Sequence, residues 1–465
     1  MQTTNDEMTA AKNRNPIISA PAIAPSPKNA STTVSLFIVL LALVYGCHIR
    51  YMGITQTVVD TPIRADASDY FYYAENIHSL GIYSRAHNFE SPSLPQPDAL
   101  RAPGFPFFAS IFMSATPYSA VKQTLIAQTF LQIVAFCLLT LVFLRTLQPT
   151  LAAIACFAVW SFPHFVTINT YYLSESLFTS LLLLSGFTLW ASDTGKNTKA
   201  LIACGLLFGL AALTRSVVEY FPIFILALTC LFSREHFKNV LVFSTAAIIP
   251  IAAWKARNLL AIGHTSDATL MLNALYHGSF PDFMYNGDPN SFGAPYRFDP
   301  DSEKVYNGLE ATLNVIWNRA TNNLTEYIAW YTFGKQVYMW SWSIVAGAGD
   351  IFIYPIIESP YLRLPDMIFS RAVHHFSHPF WVVFGLFSAA FFSTYNLRHN
   401  KITHPPTLVI GCSLLIVYIV LITAITAPYP RYAIPFKWIL IFLSIYSIQV
   451  FSIWLHKMIQ TQKFA

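Results

Sequence analysis

Residues 64–74 (RADASDYFYYA) place two carboxylates among aromatic side chains, directly after the first long apolar run of the chain. Asp66, Tyr70 and Ala74 recur at helical spacing, so the pattern predicts a short helix that Asp66 caps and Gly81 ends. A capping aspartate lies at the positive end of the helix dipole, which favours its ionised form. Such a carboxylate beside a membrane could act as a general base, although a lone loop aspartate is more often a solvated cap.

Three further polar sites have side chains suited to anions or hydroxyls. Arg101 precedes the rigid turn PGFP at residues 103–106, and its planar guanidinium group can donate two hydrogen bonds to a phosphate. Glu175 stands at the start of an apolar run, where a carboxylate either has a function or stabilises the start of the helix. Arg215 and Glu219 are one helical turn apart and could simply pair with each other.

Two cationic motifs flank later apolar runs. Arg257 in WKARN (residues 254–258) leaves the seventh run, and Arg431 in PRYAIP (residues 430–435) enters the tenth. Both arginines fall on the side of the membrane where the positive-inside rule disfavours them, so they predict an anionic partner there. A polyprenyl phosphate fits, because its phosphate lies at headgroup level and its tail lies in the lipid.

No Walker loop, dinucleotide fingerprint, HExxH motif, nucleophile elbow or DxD motif occurs in its required context. A transferase with its site outside the cytoplasm lacks nucleotide sugars, so an activated sugar would have to arrive on a lipid. The histidines of the outer loops are scattered, and the adjacent His374 and His375 cannot face one point on a regular helix. No metal ligands are therefore expected, and a divalent ion is the less favoured option.

The composition excludes a soluble globule. Of the 465 residues, 54% are hydrophobic and 11% are charged, whereas roughly a quarter are charged in ordinary soluble domains. The net charge of +5 is spread over short loops, and no basic run is interleaved with aromatic residues, so no nucleic-acid partner is expected. The six cysteines fall in apolar runs without a CxxC pairing and are interpreted as small core residues.

Ten apolar runs predict an all-α polytopic membrane protein. They lie at about 33–52, 121–144, 150–166, 175–192, 199–214, 217–233, 238–254, 378–395, 407–427 and 433–455. An even number of spans puts both termini on one side, which the Lys and Arg of the tails and short loops make cytoplasmic. Two long loops, about 53–120 and 255–377, then lie on the periplasmic or extracellular side and carry short helices. Residues 1–32 are predicted to be a disordered cytoplasmic tail, 33–455 one membrane domain, and 456–465 a second tail.

The second loop contains an aromatic cluster at residues 327–342, which is typical of an interfacial belt or of a sugar-stacking surface. A following apolar run at 342–357 is interrupted by two glycines and Asp350. We therefore expect that run to be interfacial or re-entrant and not to be an eleventh span.

The order of these motifs resembles the integral-membrane glycosyltransferases of the GT-C fold. The similarity is strongest to the bacterial branch similar to dolichyl-phosphate-mannose protein mannosyltransferases and lipid A aminoarabinose transferases. The matching stretches are Asp66 with Tyr70, Ala74 and Gly81, then RAPGFP at 101–106, SESLF at 174–178, GLLFGLAALTR at 205–215, WKARN at 254–258 and RYAIP at 431–435. Each motif alone is weakly specific, but together they follow the family's order over most of residues 35–455. Ala67 stands where many relatives carry Glu, which argues against a two-carboxylate or metal-binding site.

The resemblance implies an inverting transfer of a sugar from a polyprenyl phosphate to an acceptor hydroxyl on a glycan, lipid or protein. Asp66 would accept the proton of the acceptor, and Glu175 would position a hydroxyl group. One or more arginines would neutralise the leaving phosphate. The residues expected to bind substrate are Asp69, Tyr70, Arg101, Arg215, Arg257, Arg431 and Tyr432.

Two other classes of function stay open at this point. A polysaccharide ligase or polymerase would use a whole glycan on a lipid diphosphate. A transporter or flippase of lipid-linked sugars would place charged residues midway along its spans, whereas most candidate charges here fall at the ends of spans or in loops. A scaffold without activity would leave the order of the motifs unexplained.

Overall fold

The structure is a computed structural model of the chain that describes residues 30–86, 94–114, 116–195, 197–398 and 406–462. Most of the predicted N-terminal tail lies outside these described residues. The first half contains helices α1 (Ala30–Gln56), α2 (Asp66–Leu80), α3 (Gly104–Ser110), α4 (Pro117–Thr146), α5 (Pro149–Trp160), α6 (Pro163–Thr167), α7 (Glu175–Gly195), α8 (Thr198–Thr214) and α9 (Phe221–Phe232). The second half contains α10 (Phe237–Ile262), α11 (Thr269–His277), α12 (Leu309–Asn322), α13 (Leu324–Ala329), α14 (Lys335–Met339), α15 (Pro365–Arg398), α16 (Thr407–Ile425), α17 (Pro430–Ala433) and α18 (Lys437–Gln462).

The described residues contain six helices that are long and apolar enough to cross a membrane. They run over Thr32–Gln56, Pro117–Thr146, Arg234–Ile262, Pro365–Thr394, Thr407–Ile425 and Pro430–Thr461. The α5–α6 pair is bent by 46° and would be a seventh span if it counts as one. All ten predicted apolar runs fall in helices, so the chain is a helical multi-pass membrane protein. The count of ten also needs α7 and the shorter α8 and α9, and it stays a prediction.

A two-stranded antiparallel sheet joins the two long loops. Strand β1 (Val58–Val59) pairs with β2 (Ile356–Glu358), and the backbone N–H of Asp60 donates to the carbonyl of Pro355 at 2.9 Å. The guanidinium group of Arg64 lies over the Tyr354 ring, 5.7 Å from its centroid. The sheet departs from the all-α prediction and ties the loops together just before α2 begins.

Helix α2 follows the predicted range, but Asp66 does not cap it. The helix begins at Asp66, and the preceding Ala65 has φ 47° and ψ −124° without any side-chain cap hydrogen bond. Such a left-handed φ is strained for a residue with a Cβ atom. Gly81 ends the helix in the left-handed conformation as predicted, with φ 68°. The strained turn at Ala65 leaves the Asp66 carboxylate free to contact other side chains.

The second loop has a small hydrophobic core of its own. Leu272, Tyr276, Phe280, Val305 and Val315 form it. Beside this core, the buried carboxylate of Asp299 accepts hydrogen bonds from Tyr276 and Arg319. These contacts give the loop a fixed internal structure.

The predicted aromatic cluster begins on α13 and continues through the single π-helical turn Trp330–Gly334 and α14. It ends in the turn that follows α14. Trp330 and Trp340 are buried, whereas the Phe333 side chain is 75% exposed. The cluster therefore serves partly as a packing surface. The broken run at 342–357 consists of turns and strand β2 without any helix, which agrees with the prediction that it is not a span.

Candidate functional site

Asp66 bridges two arginines from opposite ends of the chain. Its Oδ1 accepts a hydrogen bond from Nη2 of Arg101 at 2.8 Å, and its Oδ2 accepts one from Nη2 of Arg431. Arg431 lies on the short helix α17, 365 positions away in sequence. The first and last motifs of the sequence therefore meet at this carboxylate.

Asp69 shares Arg101 with Asp66. The two aspartates are three residues apart on α2, a spacing that puts their side chains on one helix face. Oδ2 of Asp69 accepts from Nε and Nη2 of Arg101 at 2.9 and 2.7 Å. Because one planar guanidinium group satisfies both carboxylates, Arg101 fixes the orientation of the α2 face that carries them.

The turn after Arg101 is fixed by a close contact with α8. A Cβ atom on Gly104 would lie 2.4 Å from Oγ1 of Thr214 and 3.0 Å from the carbonyl oxygen of Leu213. Only glycine therefore allows α3 to begin directly against the C-terminal end of α8. This contact places the RAPG turn beside residues 213–215, so Arg101 and Arg215 come from adjacent stretches of the fold.

Glu175 begins α7 and pairs with Arg215. Its Oε1 lies 2.7 Å from Nη1 of Arg215 and 4.0 Å from Nε of Arg431. The side chain is 2% exposed, and its Oε2 has no hydrogen-bond partner among the described residues. The alternative pairing of Arg215 with Glu219 is wrong, because Glu219 lies 2.7 Å from Nζ of Lys255 instead. Glu175 thus keeps one oxygen atom available inside the site.

Tyrosine side chains line the arginines. The guanidinium groups of Arg215 and Arg431 lie 4.6 and 5.2 Å from the ring centroid of Tyr432, where cation–π attraction favours them. Nη1 of Arg215 also donates to Oγ of Ser174 at 3.2 Å. That hydroxyl in turn shares a hydrogen bond with the phenol of Tyr70, so α2, α7 and α17 are linked through one network.

Arg257 contributes to a different part of the structure. Its Nη1 donates to the carbonyl oxygen of Asp98 at 3.1 Å, and its Nη2 donates to that of Tyr83 at 3.4 Å. The same group lies 4.9 Å from the centroid of Trp254. These contacts hold the middle of the first loop against α10, and none of them is with Asp66 or Glu175.

Six charged groups form the centre of the cluster. Asp66, Asp69 and Glu175 face Arg101, Arg215 and Arg431, and the half-exposed Arg85 adds a further positive charge 4.0 Å from Asp69. Burial alone would raise the pKa of Asp66. The positive charges of Arg431 and Arg101 and the hydrogen bond from Arg431 outweigh burial and hold that pKa well below its usual range. All six groups except Glu175 keep 16–24% of their side chain exposed, so a ligand can reach the cluster.

A buried polar network that the sequence analysis did not identify reaches Ser176, the residue after Glu175. Arg50 on α1 is fully buried, and its Nε donates to Oε1 of Gln132 at 2.9 Å. The same oxygen accepts from Nδ2 of Asn169 at 2.8 Å, and Asn169 accepts from the hydroxyl of Ser176. A charged residue inside an apolar run is usually functional, and that signal could have identified Arg50.

The histidines after residue 260 do not form a metal centre in the part of the chain that the structure describes. In that part, no three His, Cys, Asp or Glu side chains lie together in a way that could hold a metal ion. His374 hydrogen-bonds to the Ser161 hydroxyl at 2.8 Å, and His378 bonds to the carbonyl oxygen of Trp340 at 2.8 Å. The groups available for chemistry are thus the arginines and carboxylates described above. The arginines can neutralise an anion, and a carboxylate can accept a proton or a hydrogen bond.

No family model matches the sequence, and a search of curated proteins finds no significant match. Among solved structures, the chain is similar to the oligosaccharyltransferase AglB of Archaeoglobus fulgidus, bound to an inhibitory peptide and a dolichol-phosphate. The identity is 14% and the TM-score 0.45, over 93% of this chain and 52% of that one. A second structure of the A. fulgidus enzyme, tethered to an acceptor peptide, gives 12% and 0.47 over 90% and 49%. The chain thus spans about half the length of that enzyme.

The structure of ArnT from Cupriavidus metallidurans in the apo state also matches. Its identity is 11% and its TM-score 0.35, over 90% of this chain and 78% of that one. These solved structures are of glycosyltransferases of the GT-C type, the class that the motif order resembles. At this low level of similarity, function has to be inferred from the chain's own residues.

Proposed function

We propose that this chain is a membrane glycosyltransferase of the GT-C type. It would transfer a sugar from a polyprenyl phosphate to an acceptor hydroxyl, with inversion, at the outer face of the membrane. The observation that carries the proposal is the network in which Arg431 joins Asp66 to Glu175. Residues from the first loop, the start of α7, the end of α8 and α17 meet there in one half-buried, accessible cluster.

The chemistry of this cluster suits an inverting substitution. The acceptor oxygen attacks the anomeric carbon and forms a new C–O bond, while the bond from that carbon to the phosphate oxygen breaks. The bonding pair leaves with the phosphate, and the hydroxyl proton moves to the carboxylate of Asp66. The products are the glycosylated acceptor and the polyprenyl phosphate, whose charge Arg431 and Arg215 would stabilise.

Asp66 is a weak base in this arrangement, because both of its oxygen atoms accept hydrogen bonds from arginines, which stabilise the ionised form. A phosphate entering the cluster would compete for the same guanidinium groups. When Arg431 turns towards the phosphate, Oδ2 of Asp66 becomes available to the acceptor hydroxyl. Donor binding would thus prepare the base, which favours an order in which the donor binds first.

Glu175 would act beside Asp66 and not in its place. Its Oε1 is held by Arg215, and its buried Oε2 lacks a partner among the described residues. A buried carboxylate oxygen without a hydrogen bond is costly unless a ligand supplies one. A hydroxyl group of the sugar or of the acceptor would satisfy it.

The topology proposed for this function follows the sequence analysis. Both termini would be cytoplasmic, and the loops at about 53–120 and 255–377 would form the site on the periplasmic or extracellular side. Residues 33–455 would form the catalytic membrane domain between tails at 1–32 and 456–465. No cofactor is required for the chemistry described.

The test uses purified protein in detergent with a panel of polyprenyl-phosphate sugars and membrane extracts as acceptors. Wild type is compared with Asp66→Asn and with the control Asp60→Asn, an exposed aspartate of the same loop, with and without a chelator. We expect wild type and Asp60→Asn to release polyprenyl phosphate and Asp66→Asn to release none. A fully active Asp66→Asn protein would refute the assignment of the base. Absence of turnover with every monophosphate donor would favour the ligase or the transporter.

A further inference from the structure

Lys335 is a fully buried lysine on α14, at the end of the π-helical turn. Within the described residues, no carboxylate lies at ion-pair distance from it. Its Nζ donates to the carbonyl oxygens of Ile425 and Thr426 at 2.9 and 3.1 Å. It also lies 3.7 Å from the centroid of the Tyr331 ring. An ammonium group on the surface of a protein would be better solvated, so its burial here needs an explanation.

The two carbonyl groups that Lys335 binds belong to the last residue of α16 and to its C-cap residue. The last carbonyls of a helix lack intrahelical partners and form the negative end of its dipole, where a cation is favourable. The neighbouring Gln336 strengthens the attachment, because its Nε2 donates to the carbonyl oxygen of Val420 at 3.1 Å. Two adjacent side chains of α14, Lys335 and Gln336, therefore hydrogen-bond to the last turns of α16.

The segment after α16 leads directly to Arg431. A Cβ atom on Gly278 would lie 2.5 Å from the carbonyl oxygen of Thr426, so the end of α11 packs tightly against the same point. Further along, the ring of Tyr429 stacks on Phe283 with centroids 5.0 Å apart. The second loop thus contacts this segment at successive positions before Arg431 reaches Asp66.

We infer that Lys335 is a positioning residue for Arg431, acting by holding the end of α16 and the segment 426–430 in place. This inference rests on the proposed function, since the value of placing Arg431 lies in its contacts with Asp66 and a donor phosphate. Lys335 touches neither group itself. A displacement of about 1 Å at a catalytic group can lower the rate of a reaction by about a hundredfold, so a distant anchor has a large effect.

The test compares Lys335→Met, which keeps the length of the side chain, with Lys335→Arg, which keeps the charge and the donors. Lys304→Met is the matched control, because Lys304 lies exposed in the same loop and pairs only with Asp301 among the described residues. Hydrogen exchange is measured over residues 426–434. Transfer and the binding of polyprenyl phosphate are measured on the same preparations. Lys335→Gln replaces Lys335→Met if the latter does not fold.

We expect Lys335→Met to raise exchange over 426–434 at least tenfold and to lower transfer about 10- to 100-fold, whereas Lys335→Arg restores both. Combined with Arg431→Met, Lys335→Met should weaken phosphate binding no further, since both changes act through one group. Unchanged exchange in Lys335→Met, or an additive loss of binding, would overturn the inference. If wild type itself neither transfers nor binds the phosphate, the proposed function fails, and the exchange result still decides whether Lys335 holds the segment.

Discussion

The replacement of Asp66 by Asn separates two effects of one carboxylate. Asn keeps the shape of the side chain and an oxygen acceptor but removes the negative charge and the ability to take a proton. Transfer should therefore be lost. The same change releases Arg431 and Arg101 from their ionic partner, so polyprenyl phosphate should bind more tightly than to wild type.

The expected gain in affinity for polyprenyl phosphate follows from the contacts that Asp66 makes in wild type. A hydrogen bond between charged groups contributes about 1.5–3 kcal/mol. The Asp66 side chain is 24% exposed, and solvent screening lowers this value. We therefore expect a value near or below the lower end of this range. The free energy of binding should improve by about 1–2 kcal/mol, or roughly 5- to 30-fold in affinity.

The assay is a titration of purified protein with polyprenyl phosphate, followed by intrinsic fluorescence or calorimetry, beside the transfer assay. Asp69→Asn is the charge-matched variant, because it also frees Arg101 but leaves the base in place. It should bind the phosphate more tightly and retain measurable transfer. Asp66→Asn protein that binds polyprenyl phosphate no better than wild type would show that the arginines are not shared between Asp66 and the donor.

Other changes test the remaining contacts. Glu175→Gln should leave the protein folded and lower transfer at least about tenfold, because it weakens the pair with Arg215 and alters the free oxygen; unchanged turnover would remove Glu175 from the site. Gly104→Ala should cost about 1–3 kcal/mol, seen as a lower Tm in detergent, because the new Cβ meets Thr214; an unchanged Tm would contradict the close contact. Burial lowers the pKa of His277 to about 4, so the neutral form is favoured in the fold. Its contribution to stability is fully present above about pH 6.5 and is lost as pH falls towards 4. His277→Asn should flatten this part of the curve of Tm against pH, and an unaltered curve would refute the assignment.

The sequence predicted the elements of the fold well, because apolar length and turn residues are local signals. Each apolar run became helical, with the run at 150–166 divided between α5 and α6, and Gly81 ended α2 in the left-handed conformation that glycine favours. The number of spans does not follow from apolar length alone, because α8 and α9 are short and the α5–α6 pair is bent.

The partners of the charged residues were harder to predict. Arg215 and Glu219 are close in sequence, yet packing takes Arg215 to Glu175 and Glu219 to Lys255. Local spacing gives only the pairs that a single helix allows. Pairs between distant elements depend on contacts such as that of Gly104 with α8, which periodicity does not reveal.

Other residues were misjudged or missed for related reasons. Asp66 was expected to cap α2, but its arginine partners offer a stronger interaction than a backbone N–H group. The structure places Arg257 against the first loop, and its predicted role in binding substrate stays a prediction. Arg50 lies near the end of the first apolar run and was missed, although it is fully buried between helices.

The short sheet between β1 and β2 has a consequence for engineering this protein. Each of the two long loops supplies one strand, and the two registered pairs, Val58 with Glu358 and Val59 with Ile356, need both. A chimera that received one loop from a relative would lose the partner strand of the other. An exchange meant to change substrate specificity would therefore have to replace both loops together.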